Sequence, residues 1–354
     1  MRVGASRTNS EGIEKRRKST KKQIFFMIIC FFIFVFLLLE VIKLFSYTFG
    51  KYDKEKMWLY NSVNSIVQKV YTKKNVLQTE EKKINLAALG NIYLTPNITK
   101  GSKDVEGYNF TNGLEDIQKK LKEFDIVVAN LSTPIADKSL GYSTNKLYNA
   151  PEELAKTLKE LNISAVATST YHIYDKKEKG ILETIKNLND NNIGQIGISE
   201  DGNFNPIILS KNEINVGILS YTNNTNVDDS NVSNNVNIFT EEKLKQDVDY
   251  LKEKNVDIIL AYLDEFNDEI TVIDSKLKND VDLLFDNGVN IVFGGGIAAV
   301  HDNYEDEITI NSKEKSHVYA TYSLGDFMGG YKDDYGSATI IPSFEITKTI
   351  AKNK

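Results

Sequence analysis

The stretch 166–180, VATSTYHIYDKKEKG, decides how the chain folds. An apolar run closing at Val166 and Ala167 reads as the end of a buried strand. The polar turn 168–172 follows, and Ile181, Leu182, Ile185 and Leu188 then recur at helical spacing. Strand, polar turn and helix are the repeating unit of an α/β protein, in which ligands and catalytic groups collect beyond the carboxyl ends of strands. His172 and Asp175 lie at that mouth, in a chain with three histidines.

Working outward, the same alternation recurs. Strands are expected at 84–89, 126–130, 164–167 and 194–198, with helices at 114–123, 152–161 and 180–191. A hairpin at 206–209 and 216–221 precedes an Asn/Asp-rich surface loop, 222–237. Helix 241–254, strand 257–262, helix 273–287 and strand 290–293 continue the pattern, and the end is strand-rich at 307–310, 317–322 and 338–346. The expected fold class is α/β, a layered core with mixed sheets, preceded by one transmembrane helix.

The 354 residues, 41% apolar and 26% charged, suffice for one sizeable core. Cys30 is the sole cysteine, which excludes an intrachain disulfide and a cysteine-ligated metal. Residues 1–56 carry twelve Lys/Arg against five Asp/Glu, a net +7, so 57–354 carries −13 of the total −6. A domain that acidic is a poor partner for nucleic acid.

Segment 1–23 reads as a cytoplasmic basic tail ending in Lys15, Arg16, Arg17, Lys18, Lys21 and Lys22. No charge occurs from Ile24 to Leu39, and apolar character persists to Phe45. About 22 residues at ~1.5 Å each span a bilayer, so 24–47 is expected to be an anchor. Its length and the lack of a small-residue cleavage site favour an uncleaved signal anchor. The basic tail stays inside by the positive-inside rule, which places the domain 84–354 outside a cell membrane crossed once. Within 48–83, Leu59, Val63, Ile66, Val67 and Val70 mark an amphipathic connector, followed by a polar spacer.

The residues closing the strands read Gly90-Asn91-Ile92, Asn130-Leu131-Ser132-Thr133-Pro134, Thr170-Tyr171-His172, Tyr262-Leu263-Asp264-Glu265, Gly294-Gly295-Gly296-Ile297-Ala298 and Tyr322-Ser323-Leu324-Gly325-Asp326-Phe327. In order, spacing and flanking text, over about residues 84–346, this set resembles the poly-γ-glutamate capsule-biosynthesis family, the CapA-like proteins with a metallophosphoesterase-like fold. The resemblance implies carboxylate and imidazole ligands from several strand ends around a metal pair, carried in Gly-Asp, Asn-Leu-Glu, Asn-Asn-His, His-Trp-Gly and Gly-His-x-Pro-His motifs. Here Asn91 stands for the Asp, Ser132 for the Glu, and Thr170-Tyr171 for Asn-Asn. Asp264 replaces a His, and Gly295 and Ala298 replace the last histidines; Asn130 and His172 are retained. Two adjacent dications need several anionic or imidazole donors, which amides, a hydroxyl and an alanine do not supply. These positions are therefore expected to be vestigial, with no cofactor.

Two alternatives stay open on the residues alone. His172 could act as a catalytic imidazole or serve only the turn. Asp264 and Asp326, with Glu265, Asp268 and Glu269, could form a carboxylate rim for one divalent cation (Mn²⁺, Mg²⁺ or Ca²⁺) or a solvated acidic edge. Gly294-Gly295-Gly296 lacks the spacing of a phosphate loop and reads as a tight turn. His301 reads as a solvated loop residue, His317 has no assigned role, and no Gly-x-Ser-x-Gly elbow occurs. The expected function is a membrane-anchored, non-catalytic binding or assembly component for an anionic envelope polymer of the poly-γ-glutamate type. Its expected partners are other envelope-polymer synthesis proteins and the polymer itself. The alternative is a metal-dependent phosphoesterase or polymer-processing hydrolase or transferase with a rebuilt site. Repulsion at −13 disfavours direct contact with a polyanion, which moves weight toward a protein partner.

Overall fold

The computed structural model describes residues 36–37, 39–40, 78–266, 272–310, 314–329 and 338–352. Two units divide the chain, Met1–Gln78 with Asn353–Lys354, and Thr79–Lys352. In the first, residues 36–37 and 39–40 are helical. The tail 1–23, the rest of the anchor 24–47 and the connector up to residue 77 lie outside the described residues. Among the described residues no helix is long and apolar enough to cross a membrane.

The second unit opens with β1 (Gln78–Ile92), α1 (Pro96–Gly101), the small hairpin β2 and β3 (Lys103–Asp104, Gly107–Tyr108), α2 (Glu115–Leu121) and β4 (Ile126–Leu131). Next come α3 (Glu153–Glu160), β5 (Ala165–Ala167), α4 (Lys177–Asp190), β6 (Gly194–Ile196) and the hairpin β7 and β8 (Ile207–Lys211, Ile214–Thr222). The chain continues through α5 (Glu241–Glu253), β9 (Ile258–Asp264), α6 (Ser275–Asn287) and β10 (Ile291–Gly295). It closes with β11 (Asn303–Ile310), β12 (Glu314–Thr321), β13 (Asp326–Met328) and β14 (Ser343–Lys352).

One sheet has the order β13-β1-β4-β5-β6, with β14 also on β1; the other runs β11-β12-β10-β9-β8-β7. The first path is parallel throughout. In the second, β12, β10, β9 and β8 are parallel, and β11 and β7 close the edges antiparallel. The layered α/β core with mixed sheets is therefore observed.

Strand parity builds the layers. Side chains alternate across a strand, so each buried strand feeds two cores. Ala87, Leu89, Val127 and Ala129 face one way with Leu154 and Leu158 of α3, while Leu86, Ala88, Ile126 and Val128 face the other. Those inner residues meet Val216, Ile218, Leu260, Tyr262, Ile291 and Phe293 of the second sheet. The outer face of that sheet packs Leu219, Ala261 and Val292 against Leu244, Val248 and Leu251 of α5, one helical stripe, and Leu277, Val281 and Leu284 of α6. The result is helix, sheet, sheet, helix.

Several boundaries differ from the sequence expectation. β1 starts at Gln78 rather than 84, because Lys82 pairs with Glu80 and with Glu213 in the β7–β8 turn, and Lys83 with Glu345 of β14. The three-residue β13 and the six-residue α1 are additional; both are too short to show a period. The Asn-rich segment 222–237 is partly interior. Asn235 and Asn237 are buried, donating from Nδ2 to the Ser199 and Ser220 carbonyls at 3.0 and 3.1 Å.

Candidate functional site

Parity also places the polar residues. Continuing Ile126, Val128 by two gives Asn130, and continuing Leu260, Tyr262 gives Asp264. Both point into the space between the sheets at its carboxyl end, and both are essentially unexposed. Asn91 would fall on the wrong face by simple alternation. The register of β1 shifts between Leu89 and Asn91, and that bulge turns Asn91 inward. Gly90 sits at the bulge against the Gly325 carbonyl oxygen, where a Cβ would be 2.0 Å from it. Asp326 pairs with Asn91 in register on the neighbouring strand β13.

These four side chains form one hydrogen-bonded chain. Gly296 N donates to Asn91 Oδ1 at 3.1 Å, which fixes the orientation of that amide. Asn91 Nδ2 then donates to Asp326 Oδ1 and to the Ile297 carbonyl, both at 3.0 Å. Asn130 Nδ2 donates to Asn91 Oδ1 at 2.9 Å and to Asp264 Oδ2 at 2.8 Å. All four amide hydrogens of the two asparagines are thus used. Tyr171 N supplies Asp264 Oδ1 at 2.9 Å, and Tyr93 OH supplies Asp326 Oδ2 at 2.6 Å. Among the described residues, Asn130 Oδ1 alone is left buried without a partner. Gly295 makes room for the chain, since a Cβ there would be 2.2 Å from Asn130 Nδ2.

Burial dominates the electrostatics. Desolvation pushes the Asp264 carboxyl up to about 6, against hydrogen bonds from Asn130 and Tyr171 that act the other way. Asp326 is likewise pushed up to about 6 by desolvation, opposed by Tyr93 and Asn91. Glu265 leaves this cluster and faces Asn223 and Lys276. Asp268 and Glu269 lie outside the described residues.

His172 keeps a different company. Its Nδ1 lies 2.8 Å from Asp175 Oδ2, and Asp175 also accepts from Tyr148 N at 2.6 Å and Asn226 Nδ2 at 2.9 Å. Asp175 thereby ties the 141–149 loop and the 222–237 segment to the turn after β5. Thr170 faces the protein instead: its Oγ1 donates to the Leu131 carbonyl at 2.9 Å. The neighbouring hydroxyls of Thr168 and Ser169 cap the Ile196 and Gly197 carbonyls.

Asn91, Ser132, His172, Ala298 and Asp326 line a cleft of about 440 Å³. Tyr171, which stands at a motif position, also lines it, while the further walls Tyr93, Tyr148, Phe266, Asn145 and Asn226 are not among the residues singled out from sequence. One signal was available: Tyr93 and Phe266 each follow a strand-end polar residue by one or two positions. Tyr148 and Asn145 come from an irregular loop and carry none. His301 and His317 do not line this cleft.

A divalent metal pair does not fit this donor set. Each carboxylate oxygen of Asp264 and Asp326 already accepts an amide or phenol hydrogen bond, and two neutral amides stand between the two carboxylates where a shared cation would have to sit. Among the described residues no three His, Cys, Asp or Glu side chains gather to hold an ion. The one buried side-chain oxygen without a partner among the described residues, Asn130 Oδ1, belongs to a neutral amide.

No curated protein resembles the sequence closely enough to count as a match. Among solved structures, the chain is similar to the NAD nucleotidase NadN of Haemophilus influenzae, with a TM-score of 0.43 and 9% identity, covering 77% of this chain and 50% of that one. It thus spans half the length of that protein. It is also similar to TT1561 of Thermus thermophilus, with a TM-score of 0.35, 8% identity, and 69% and 89% of the two chains covered. Residues 85–331, most of the described domain and more than half of the chain, match the model of the bacterial capsule synthesis protein PGA_cap. The chain belongs to the bacterial capsule synthesis protein family.

Proposed function

We propose that the protein is a non-catalytic binding or assembly component in the synthesis, export or attachment of a capsule or cell-envelope polymer, with 24–47 anchoring the domain on the outside of the cell membrane. One observation carries this reading. The centre where strand ends from both sheets converge is closed by the chain Asp264–Asn130–Asn91–Asp326, which uses amide protons to hold its two carboxylates. Such a centre is organised without an ion, while the cleft beside it stays open to a ligand.

The test is elemental analysis of the purified full chain, followed by titration with Mn²⁺, Zn²⁺, Mg²⁺ and Ca²⁺. Substoichiometric metal is expected. Two equivalents held at micromolar affinity would overturn the reading and restore a metal-dependent phosphoesterase or hydrolase.

A second reading rests on the His172–Asp175 pair at the cleft wall. A buried carboxylate on Nδ1 orients an imidazole so that Nε2 can exchange a proton with a bound group. As an enzyme, the protein would lose polymer-processing turnover in His172→Ala; unchanged polymer length and yield in cells carrying that variant would sink this alternative.

A further inference from the structure

The cleft walls hold more aromatic surface than an anionic polymer needs. Tyr93 stacks on Tyr148 at 5.2 Å between centroids, and Tyr148 lies 4.1 Å from His172. His172 meets Tyr171 edge-on at 4.9 Å, and Tyr171 stacks on Phe266 at 4.0 Å. Five rings from four separate chain segments therefore form a continuous run, and all five line one cleft. Each ring is braced by its neighbour, so little side-chain freedom remains to be lost when a ligand arrives.

The charge of the cleft is as informative as its rings. Among the described residues lining it, Lys146 is the one lysine or arginine, and Asp326 is the one carboxylate. A polyanion such as oligoglutamate, or a phosphate, would meet one cation and a buried acid. Matching repeated negative charge takes several cations, so the balance favours an uncharged ligand. The stacked pairs also leave no slot between them: Tyr171 and Phe266 are already in contact, so a flat base cannot be sandwiched there.

A pyranose ring suits these surfaces. Its C–H face carries slightly positive hydrogens that complement the negative face of an aromatic ring, and its hydroxyls seek amides and carboxylates at the edge. Ser132, Asn145 and the side-chain oxygen of Asn226, whose Nδ2 is committed to Asp175 and the Lys146 carbonyl, supply such groups around the rings. A volume of about 440 Å³ lies within the ~300–1,000 Å³ usual for ligand sites. We infer that this cleft binds a segment of a neutral glycan, laid across the aromatic run from Tyr93 to Phe266. The inference rests on the reading of the protein as a binding component and names what that component holds.

The experiment presents the full chain in detergent to immobilised neutral hexose and N-acetylhexosamine oligosaccharides, beside γ-linked oligoglutamate, oligouronates and adenosine monophosphate. Retention of a neutral glycan at least about tenfold more tightly than oligoglutamate is expected. Phe266→Ala and Tyr148→Leu, each keeping a cooperative melt, are expected to weaken it by about three- to tenfold. Lys146→Ala should leave it within about twofold, since no anion is being matched. Preference for oligoglutamate, uronate or the nucleotide overturns the inference, and so does retention of no probe at all. Capsule production in a strain complemented with Phe266→Ala separates the two readings. A normal capsule with no glycan bound removes the glycan and leaves the assembly role standing.

Discussion

Asp326→Asn should make the protein more stable at neutral pH. The carboxyl is raised from an ordinary value of 3.8 to about 6, chiefly by desolvation. A folded value above the unfolded one means that the stability from this group is complete below about pH 3.8 and is lost as pH rises through about 6. A shift of roughly 2 units corresponds to about 3 kcal/mol at about pH 7.5, of which about half returns on acidifying to about pH 5. Asparagine removes that cost without emptying the site. Its Oδ1 can still accept from Asn91 Nδ2, and Tyr93 OH can reverse to accept from the new Nδ2, since a phenol hydroxyl both donates and accepts. The expected gain is about 1–3 kcal/mol at about pH 7.5 and under 1 kcal/mol at about pH 4, with a flatter profile between. Urea unfolding of wild type and variant across that range, read by tyrosine fluorescence and circular dichroism, measures it. An unchanged pH slope in the variant, or a loss of stability at about pH 7.5, would refute the claim that Asp326 is a desolvated acid held by neutral donors.

Three other outcomes follow, two from the same centre and one from the turn beside it. Asn91→Asp replaces a donor 3.0 Å from Asp326 with a third carboxylate; the apo variant should lose about 3–5 kcal/mol and regain part of it in millimolar Ca²⁺ or Mn²⁺. Melting with and without chelator checks this, and a chelator-insensitive melt would count against it. Gly295→Ala drives a methyl onto Asn130 Nδ2 and should cost about 1–3 kcal/mol in denaturant unfolding, whereas Gly101→Ala, with open space around it, should cost far less. Asp175→Ala removes the acceptor shared by His172, Tyr148 N and Asn226, so about 2–4 kcal/mol should be lost, with faster amide exchange confined first to 141–149 and 222–237.

Much of the fold was legible because it is written in short-range periods. Leu154 and Leu158, or Leu244, Val248 and Leu251, are helical stripes wherever they occur, and the runs ending at Val166 or Phe293 are apolar enough to be buried strands. The strand ends also pointed to Asn91, Asn130, His172, Asp264 and Asp326, which the structure brings to one region. What they do to each other was not legible. That Asn91 faces inward depends on a bulge at Gly90, and a bulge requires knowing that the Gly325 carbonyl occupies the space of a Cβ. Nor could sequence show that Asp264 and Asp326 are separated by two intervening amides instead of lining one rim. Thr170 resembled a site residue because it stands where a motif would put one, yet its hydroxyl serves the Leu131 carbonyl. The aromatic run joins segments far apart in the chain, so no local pattern announces it.

Asn130 reaches sideways to Asn91 in its own sheet and across to Asp264 in the other. Tyr262, from the second sheet, adds a hydroxyl to the Leu89 carbonyl of the first at 2.9 Å. Between the sheets the contacts are otherwise mostly aliphatic, and these resist separation but offer little directional resistance to sliding. At the opposite end Asn212 Nδ2 donates to the Lys83 carbonyl at 3.0 Å and Lys348 Nζ to the Glu213 carbonyl at 2.9 Å, beside the partly exposed ion pairs Lys82–Glu213 and Lys348–Asp257, which water and salt weaken. The layers are therefore fastened at both ends, by buried hydrogen bonds at one and by solvent-accessible bonds at the other. Raising the salt concentration should loosen the fastening at the β7–β8 turn while leaving the one beside the cleft intact.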